Sequence, residues 1–194
     1  MFVRALVPMF LSLVPFTLLI AQEQPRGKLF AGYSYVDADL GSGSKSALHG
    51  YELSSDFDPL QWLGITFDSG GYFGSAPVPS CFGGSANTCV ISGPTTFSHL
   101  YTVDGGVRFS RRMGRAKPFA RAAFGVAVLE ACPFRGCESK GSFAQSYGGG
   151  VDLRLSERRL GWRLQGDLFQ TRFFHTTQND FRLSTGLLIF FYKH

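Results

Sequence analysis

Side chains able to carry acid–base or nucleophilic chemistry are few and dispersed in this sequence. His49, His99, His175 and His194 lie far apart, with Ser98, Ser142 and Asp180 among the candidate neighbours of the first three. A Ser–His–carboxylate site on a loop-end rim would need base and nucleophile within about 3 Å, which spacing alone does not supply. No GxSxG nucleophile elbow occurs, and Gly148 to Gly150 falls inside a strand pattern, where it relieves crowding in a curved sheet rather than cradling phosphate. Cys81 with Cys89 and Cys132 with Cys137 form two close pairs, each within one short Gly-, Ser- or Pro-containing segment. Neither CxxC nor HxxxH spacing is present, so two local disulfides are expected in preference to a metal site. No enzyme, cofactor or metal is expected.

The chemistry written repeatedly is charge pairing. The chain has 194 residues, 17% charged, 44% hydrophobic and 15% aromatic, with 24 glycines and a net charge of +5. That charged share is below the roughly 25% of an ordinary soluble domain, which argues against disorder and coiled coil. No Lys/Arg block with interleaved aromatics supports nucleic acid as a partner. Arg4 is followed by the apolar ALVPMFLSLVPFTLLIA and then by Gln22, Glu23 and Gln24. This is the layout of an export signal, and residues 1–21 are expected to be removed, leaving one domain over 22–194. A retained anchor is the alternative, but Pro8 and Pro15 interrupt a run at or below the roughly 17 to 25 residues that span a bilayer. Export also puts the cysteines in an oxidising compartment.

The elements that must position these charges are strands. Period-two alternation is plain over Tyr147 to Leu155, Trp162 to Leu168 and Phe181 to Ile189, where a helix would scatter the charges around its circumference. The same template gives eight runs: 28–36, 49–57, 63–73, 99–110, 118–129, 143–155, 161–173 and 180–191. Short turns at 58–62, 111–117 and 156–160 alternate with connections at 37–48, 74–98, 130–142 and 174–179 that are longer on average. An even strand count with short turns at one end and long loops at the other suits an eight-stranded antiparallel up-and-down transmembrane barrel. It predicts four long loops on the extracellular side and three short periplasmic turns.

Projecting the alternation puts Glu52, Asp56, Asp68, Asp104, Asp152 and Asp167 on one face with Arg108, Arg121, Arg154, Arg163 and Arg182. The opposite face carries Leu53, Ile65, Phe67, Val103, Val107, Val126, Val151, Leu164 and Leu187, with almost no charge along its middle. A lipid-side Arg or Lys near the midplane would cost about 2 to 4 kcal/mol, so the charged face is expected inside as a lumen network. On the apolar face Tyr33, Tyr51, Phe73, Tyr101, Tyr147 and Phe181 fall near the long-loop ends, and Phe57, Phe109, Trp162 and Phe191 near the short-turn ends. They are expected to form two aromatic girdles.

The stretches PFARAAFGVAVLE, YGGGVDLRLSERRLGWRLQGDLFQTRF and NDFRLSTGLLIFF resemble the eight-stranded outer-membrane barrels of the outer-membrane protein A type, the porin-like outer-membrane β-barrel family of Gram-negative bacteria. The resemblance covers essentially the whole mature chain, best over 99–191. It implies a Gram-negative outer-membrane location, outer-membrane lipids as surroundings, and barrel assembly machinery as a partner in biogenesis. Members often end on an aromatic of the last strand, whereas Tyr192, Lys193 and His194 follow Phe191 here.

Eight strands leave an interior just wide enough for side chains. The expected function is therefore a structural or surface-interaction role for a monomer, with an Arg/Asp/Glu-filled lumen and loop contacts to an extracellular ligand. A narrow porin-like channel is the alternative, a lipid-modifying enzyme a lesser one, and a soluble lipocalin-type barrel is disfavoured by the charged face.

Overall fold

The computed structural model describes residues 27–39, 45–75, 97–132, 138–155, 159–173 and 177–192. The segment read as an export signal, Cys81, Cys89 and Cys137, and His175 and His194 lie outside them.

Eight strands follow in chain order: β1 (Gly27–Asp39), β2 (Lys45–Phe57), β3 (Leu63–Ser75), β4 (Phe97–Ser110), β5 (Ala116–Cys132), β6 (Glu138–Arg154), β7 (Leu160–Thr171) and β8 (Gln178–Phe191). Each pairs antiparallel with its sequence neighbours, and β1 closes on β8 from Gly27↔Phe191 to Asp37↔Phe181, so the sheet is a closed barrel with no free edge. At about 3.3 Å per residue and a tilt near 40°, thirteen-residue strands such as β1 to β3 span about 30 Å along the axis, enough to cross the roughly 25 Å apolar band of an outer-membrane barrel.

The strands extend beyond the sequence expectation at the loop end. β1 and β2 remain paired to Asp39↔Lys45, and β5 and β6 to Ala131↔Glu138, so segments expected as long loops at 37–48 and 130–142 largely continue the sheet. Between strand bounds, 76–96 stays long while 40–44, 133–137 and 172–177 are short. The reason is physical: above the ionic tiers the sense of the alternation reverses, with Val36, Ala38 and Leu48 buried inside and Asp37 and Asp39 facing out, so these residues do not match the charge-inside, apolar-outside template although the pairing continues.

At the opposite end the β4–β5 connection closes with Met113 N donating to Ala116 O (2.8 Å) and Ala116 N to Met113 O (3.1 Å). This two-residue hairpin loop needs a left-handed first residue, and Gly114 supplies it at φ 64°.

Candidate functional site

The pleat turns one face of every strand inward. Along β2, Glu52, Ser54 and Asp56 are buried while Tyr51, Leu53, Ser55 and Phe57 are exposed, and the same alternation runs round the ring. Of the charged residues grouped by sequence, Glu52, Asp56, Asp68, Asp104, Arg108, Arg121, Asp152, Arg163, Asp167 and Arg182 are all buried, none more than 4% exposed. Arg154 differs. It faces inward but stands half-buried at the turn-end mouth, its guanidinium 5.3 Å from the ring centre of Phe190 and 5.8 Å from that of Tyr192. At that end of β6 Arg154 lies over rings rather than carboxylates.

The interior charges sort into two tiers. Nearer the turns, Arg108 bonds Asp56 and Asp152, and Arg163 bonds Asp56, Asp152 (2.7 Å from Nε) and Ser54 (3.0 Å). Their planar forks lie against aromatic faces: Arg108 is 3.6 Å from the ring centre of Phe119, and Arg163 is 5.1 Å from those of Phe30 and Phe119. Delocalised guanidiniums tolerate this stacking, where an ammonium would lose its hydration. Below them Lys28 reaches Asp58 (2.9 Å) and Asp152 (3.5 Å), and Lys117 reaches Asp58 (2.7 Å).

In the middle tier Arg121 donates from Nε and Nη2 to the two oxygens of Asp167 (3.0 and 2.8 Å), from Nη1 to Asp68 (2.8 Å) and from Nη2 to Glu52 (3.4 Å). Arg182 donates to Asp167 (3.1 Å) and to the hydroxyl of Tyr72 (3.1 Å). Glu52 also accepts from Gln165 (2.7 Å) and from Ser184. Asp104 accepts from Ser146 (3.3 Å) and faces Asp68 directly in register. This tier thus holds four carboxylates, Glu52, Asp68, Asp104 and Asp167, against two guanidiniums, and shared forks spread each positive charge over several oxygens.

Local backbone makes the reach of Arg121 feasible. Arg121, Gly148 and Asp167 are neighbours in register across β5, β6 and β7. A Cβ on Gly148 would meet Gly166 O at 2.2 Å and an oxygen of Asp167 at 2.3 Å, so a glycine between the partners lets the fork cross a whole strand. The glycine run at 148–150 accordingly lies within a strand.

Three features have no counterpart in the sequence reading of the charged face. Lys28 begins the run at 28–36, Asp58 lies in a turn, and Lys117 precedes the run assigned to β5; all three belong to the turn-end tier. Their positions at run ends hid them, although Lys28 has the inward parity of β1. Above the ionic tiers the interior becomes apolar: Val36, Leu48, Leu100, Leu129, Phe169 and Phe173 pack with Tyr72 in one buried cluster toward the loop end. These residues have inward parity in the sequence, but no charge marks them there.

The aromatics grouped on the opposite face are all exposed: Tyr33, Tyr51, Phe57, Phe73, Tyr101, Phe109, Tyr147, Trp162, Phe181 and Phe191. Phe73 lies edge-on to Tyr101 at 6.0 Å and to His99 at 5.2 Å, while Trp62 stacks on Phe109 at 6.1 Å. Among the described residues, the candidate Ser, His and Asp side chains form no hydrogen bond or ion pair with one another. His99 points outward, 3.9 Å from Glu130, while its neighbour Ser98 is fully buried on the inner face, since adjacent strand residues face opposite ways. His49 pairs with the hydroxyl of Tyr33, Ser142 accepts from Arg172 N (2.9 Å), and Asp180, buried inside, accepts from Asp39 N (2.8 Å).

No family model and no curated protein match the chain. Solved structures do. Neisserial surface protein A superposes with a TM-score of 0.65 at 13% identity, covering 85% of this chain and 97% of that one. Ail, the attachment invasion locus protein of Yersinia pestis, gives 0.55 at 13%, covering 86% and 99%. Its complex with the heparin analogue sucrose octasulfate gives 0.53 at 12%, covering 84% and 97%. At such identities the likeness is one of fold. The chain is a closed eight-stranded antiparallel barrel, the architecture these proteins share.

Proposed function

We propose that this protein is an integral outer-membrane barrel of a Gram-negative bacterium with a structural or surface-interaction role, its interior closed by side chains. The observation that carries the reading is the inversion of faces. Phe67, Val103, Val126, Leu164 and Leu187 are exposed on the wall while Glu52, Asp167, Arg163 and Arg182 are buried inside. A barrel in water would gain by the reverse arrangement, whereas in a bilayer each wall-side Arg or Lys near the midplane costs about 2 to 4 kcal/mol. Closure also leaves no unpaired sheet edge for hydrocarbon to meet. The exposed aromatics serve as girdles at the two headgroup boundaries.

Two ionic tiers and the apolar layer of Leu48, Leu100, Leu129 and Phe169 lie in series along the axis, which supports a barrel that does not conduct. Contacts then fall to the loop end, with 76–96 the longest connection. The Ail complex with sucrose octasulfate is a precedent for ligand binding by a protein of this fold. Residues 1–21 serve as the export signal, Cys81–Cys89 and Cys132–Cys137 as loop staples, outer-membrane lipids as surroundings and the barrel assembly machinery as the partner in biogenesis. The protein acts as a monomer without catalytic activity.

The test pairs two measurements on the mature chain. On an unheated detergent gel it should run as a compact band that heating abolishes, and in planar bilayers it should stay silent. Release from cells without detergent would refute the membrane reading, and reproducible unit currents would refute the closed interior and favour a narrow channel.

A further inference from the structure

The turn end of the barrel carries cations that the interior does not use. Arg111, Arg112 and Arg115 lie in the β4–β5 turn, Arg111 and Arg115 exposed and Arg112 half-buried, and none is in an ion pair with another described residue. The carboxylates beside them are already committed: Asp58 to Lys28 and Lys117, Asp152 to Arg108, Arg163 and Lys28. Next to Arg111 the outer wall is hollowed. A shallow, widely open depression of about 400 Å³ is lined by Trp62, Phe109, Pro118 and Ala120 together with Arg111. Its walls are held by backbone bonds from Ser110 N to Trp62 O (2.9 Å) and from Arg111 N to Pro118 O (3.1 Å).

A shallow apolar groove on the lipid side that ends at Arg111, with Arg112 and Arg115 further along the same turn, has amphipathic chemistry. Its complement is an acyl chain joined to a headgroup of net negative charge. We propose that this groove binds an anionic glycerophospholipid of the periplasmic leaflet, the chain lying against Trp62, Phe109 and Pro118 and the phosphodiester meeting Arg111, with Arg112 and Arg115 adding to the field. The inference rests on the membrane reading above and adds to it a lipid class and a place. A zwitterionic lipid meets the same groove, but its ammonium cancels most of the attraction. One guanidinium beside an anionic headgroup is worth about a fivefold preference at low ionic strength.

Trp62 is a built-in reporter, because Trp162 is the other tryptophan of the chain. The mature chain carrying Trp162→Phe is refolded into phosphatidylcholine vesicles that contain a minor share of either acyl-brominated phosphatidylglycerol or acyl-brominated phosphatidylcholine. Bromine quenches Trp62 on contact. The expected result is a preference of about fivefold or more for the brominated phosphatidylglycerol, lost in the Arg111→Gln/Arg112→Gln/Arg115→Gln variant and kept in Arg172→Gln at the opposite end. Equal quenching by the two lipids overturns the proposal, as does a preference that survives in the triple variant or disappears in Arg172→Gln. Inorganic phosphate that abolishes the preference, where chloride at equal ionic strength does not, would assign the site to free phosphate and overturn the lipid. A parent chain without a heat-sensitive compact band refutes the membrane reading; a compact band with equal quenching refutes the groove alone.

Discussion

Replacing Arg121 by Met tests the middle tier. The guanidinium makes a two-point contact with Asp167 at 3.0 and 2.8 Å and also reaches Asp68 at 2.8 Å and Glu52 at 3.4 Å. Four carboxylates share two guanidiniums in this tier, so the substitution leaves Arg182 alone to face them. Removing one partner of a buried pair costs about 3 to 5 kcal/mol, because the other charge stays desolvated and uncompensated. The loss of Arg121 falls at the upper end of that range, since three carboxylates lose a charged donor at once. Asp104→Asn acts in the opposite sense. It removes one of two excess negative charges while keeping an acceptor for Ser146, and should alter stability by no more than about 1 kcal/mol. Adding Asp167→Asn to Arg121→Met should recover about 1 to 3 kcal/mol through the coupling of the pair. The assay is urea titration of the barrel in vesicles, with the midpoint read from the compact band on unheated gels. An Arg121→Met midpoint at the parental value, or an Asp104→Asn loss as large as that of Arg121→Met, would refute the charge reasoning.

Val103→Lys places an ammonium on the wall midway along β4, where the parent side chain is 59% exposed, and should cost about 2 to 4 kcal/mol in vesicles; an unchanged urea midpoint would count against a bilayer around this wall. Gly148→Val forces a side chain between Arg121 and Asp167 and should destabilise by at least about 1 to 3 kcal/mol, read by the same titration, with a parental midpoint excluding the crossing geometry. Leu100→Ala opens the apolar layer under the loop end and should cost about 2 to 5 kcal/mol without introducing conductance, because the ionic tiers still block the axis. Unit currents in that variant would identify the apolar layer as the seal.

Much of the fold was legible in the sequence because the pleat imposes a period of two. Once Asp152 and Arg154 alternate with Val151 and Leu153, the faces of β6 follow, and the same reasoning carries through β7 and β8. The ends of the strands were less legible. Asp37 to Asp39 and Lys45 to Leu48 pair with apolar Val36, Ala38 and Leu48 inside and charge outside, the reverse of the pattern lower in the barrel, so the sheet there continues through residues that look like loop. Arg154 shows the same limit from inside: parity assigns it to the inner face, but only the folded ring brings it over Phe190 and Tyr192.

Local spacing by itself determined that two unlike faces exist, how many times the chain crosses between them, and which side chains share a face. It could not determine partners. Arg163 meets Asp56 from β7 to β2, Arg121 reaches Asp167 across Gly148, and Arg182 finds Tyr72 from β8 to β3. Those pairings depend on closure of β1 against β8 and on the register of every strand between, quantities that belong to the whole ring. Period two is a property of neighbouring residues, whereas a salt bridge across a barrel is a property of its circumference.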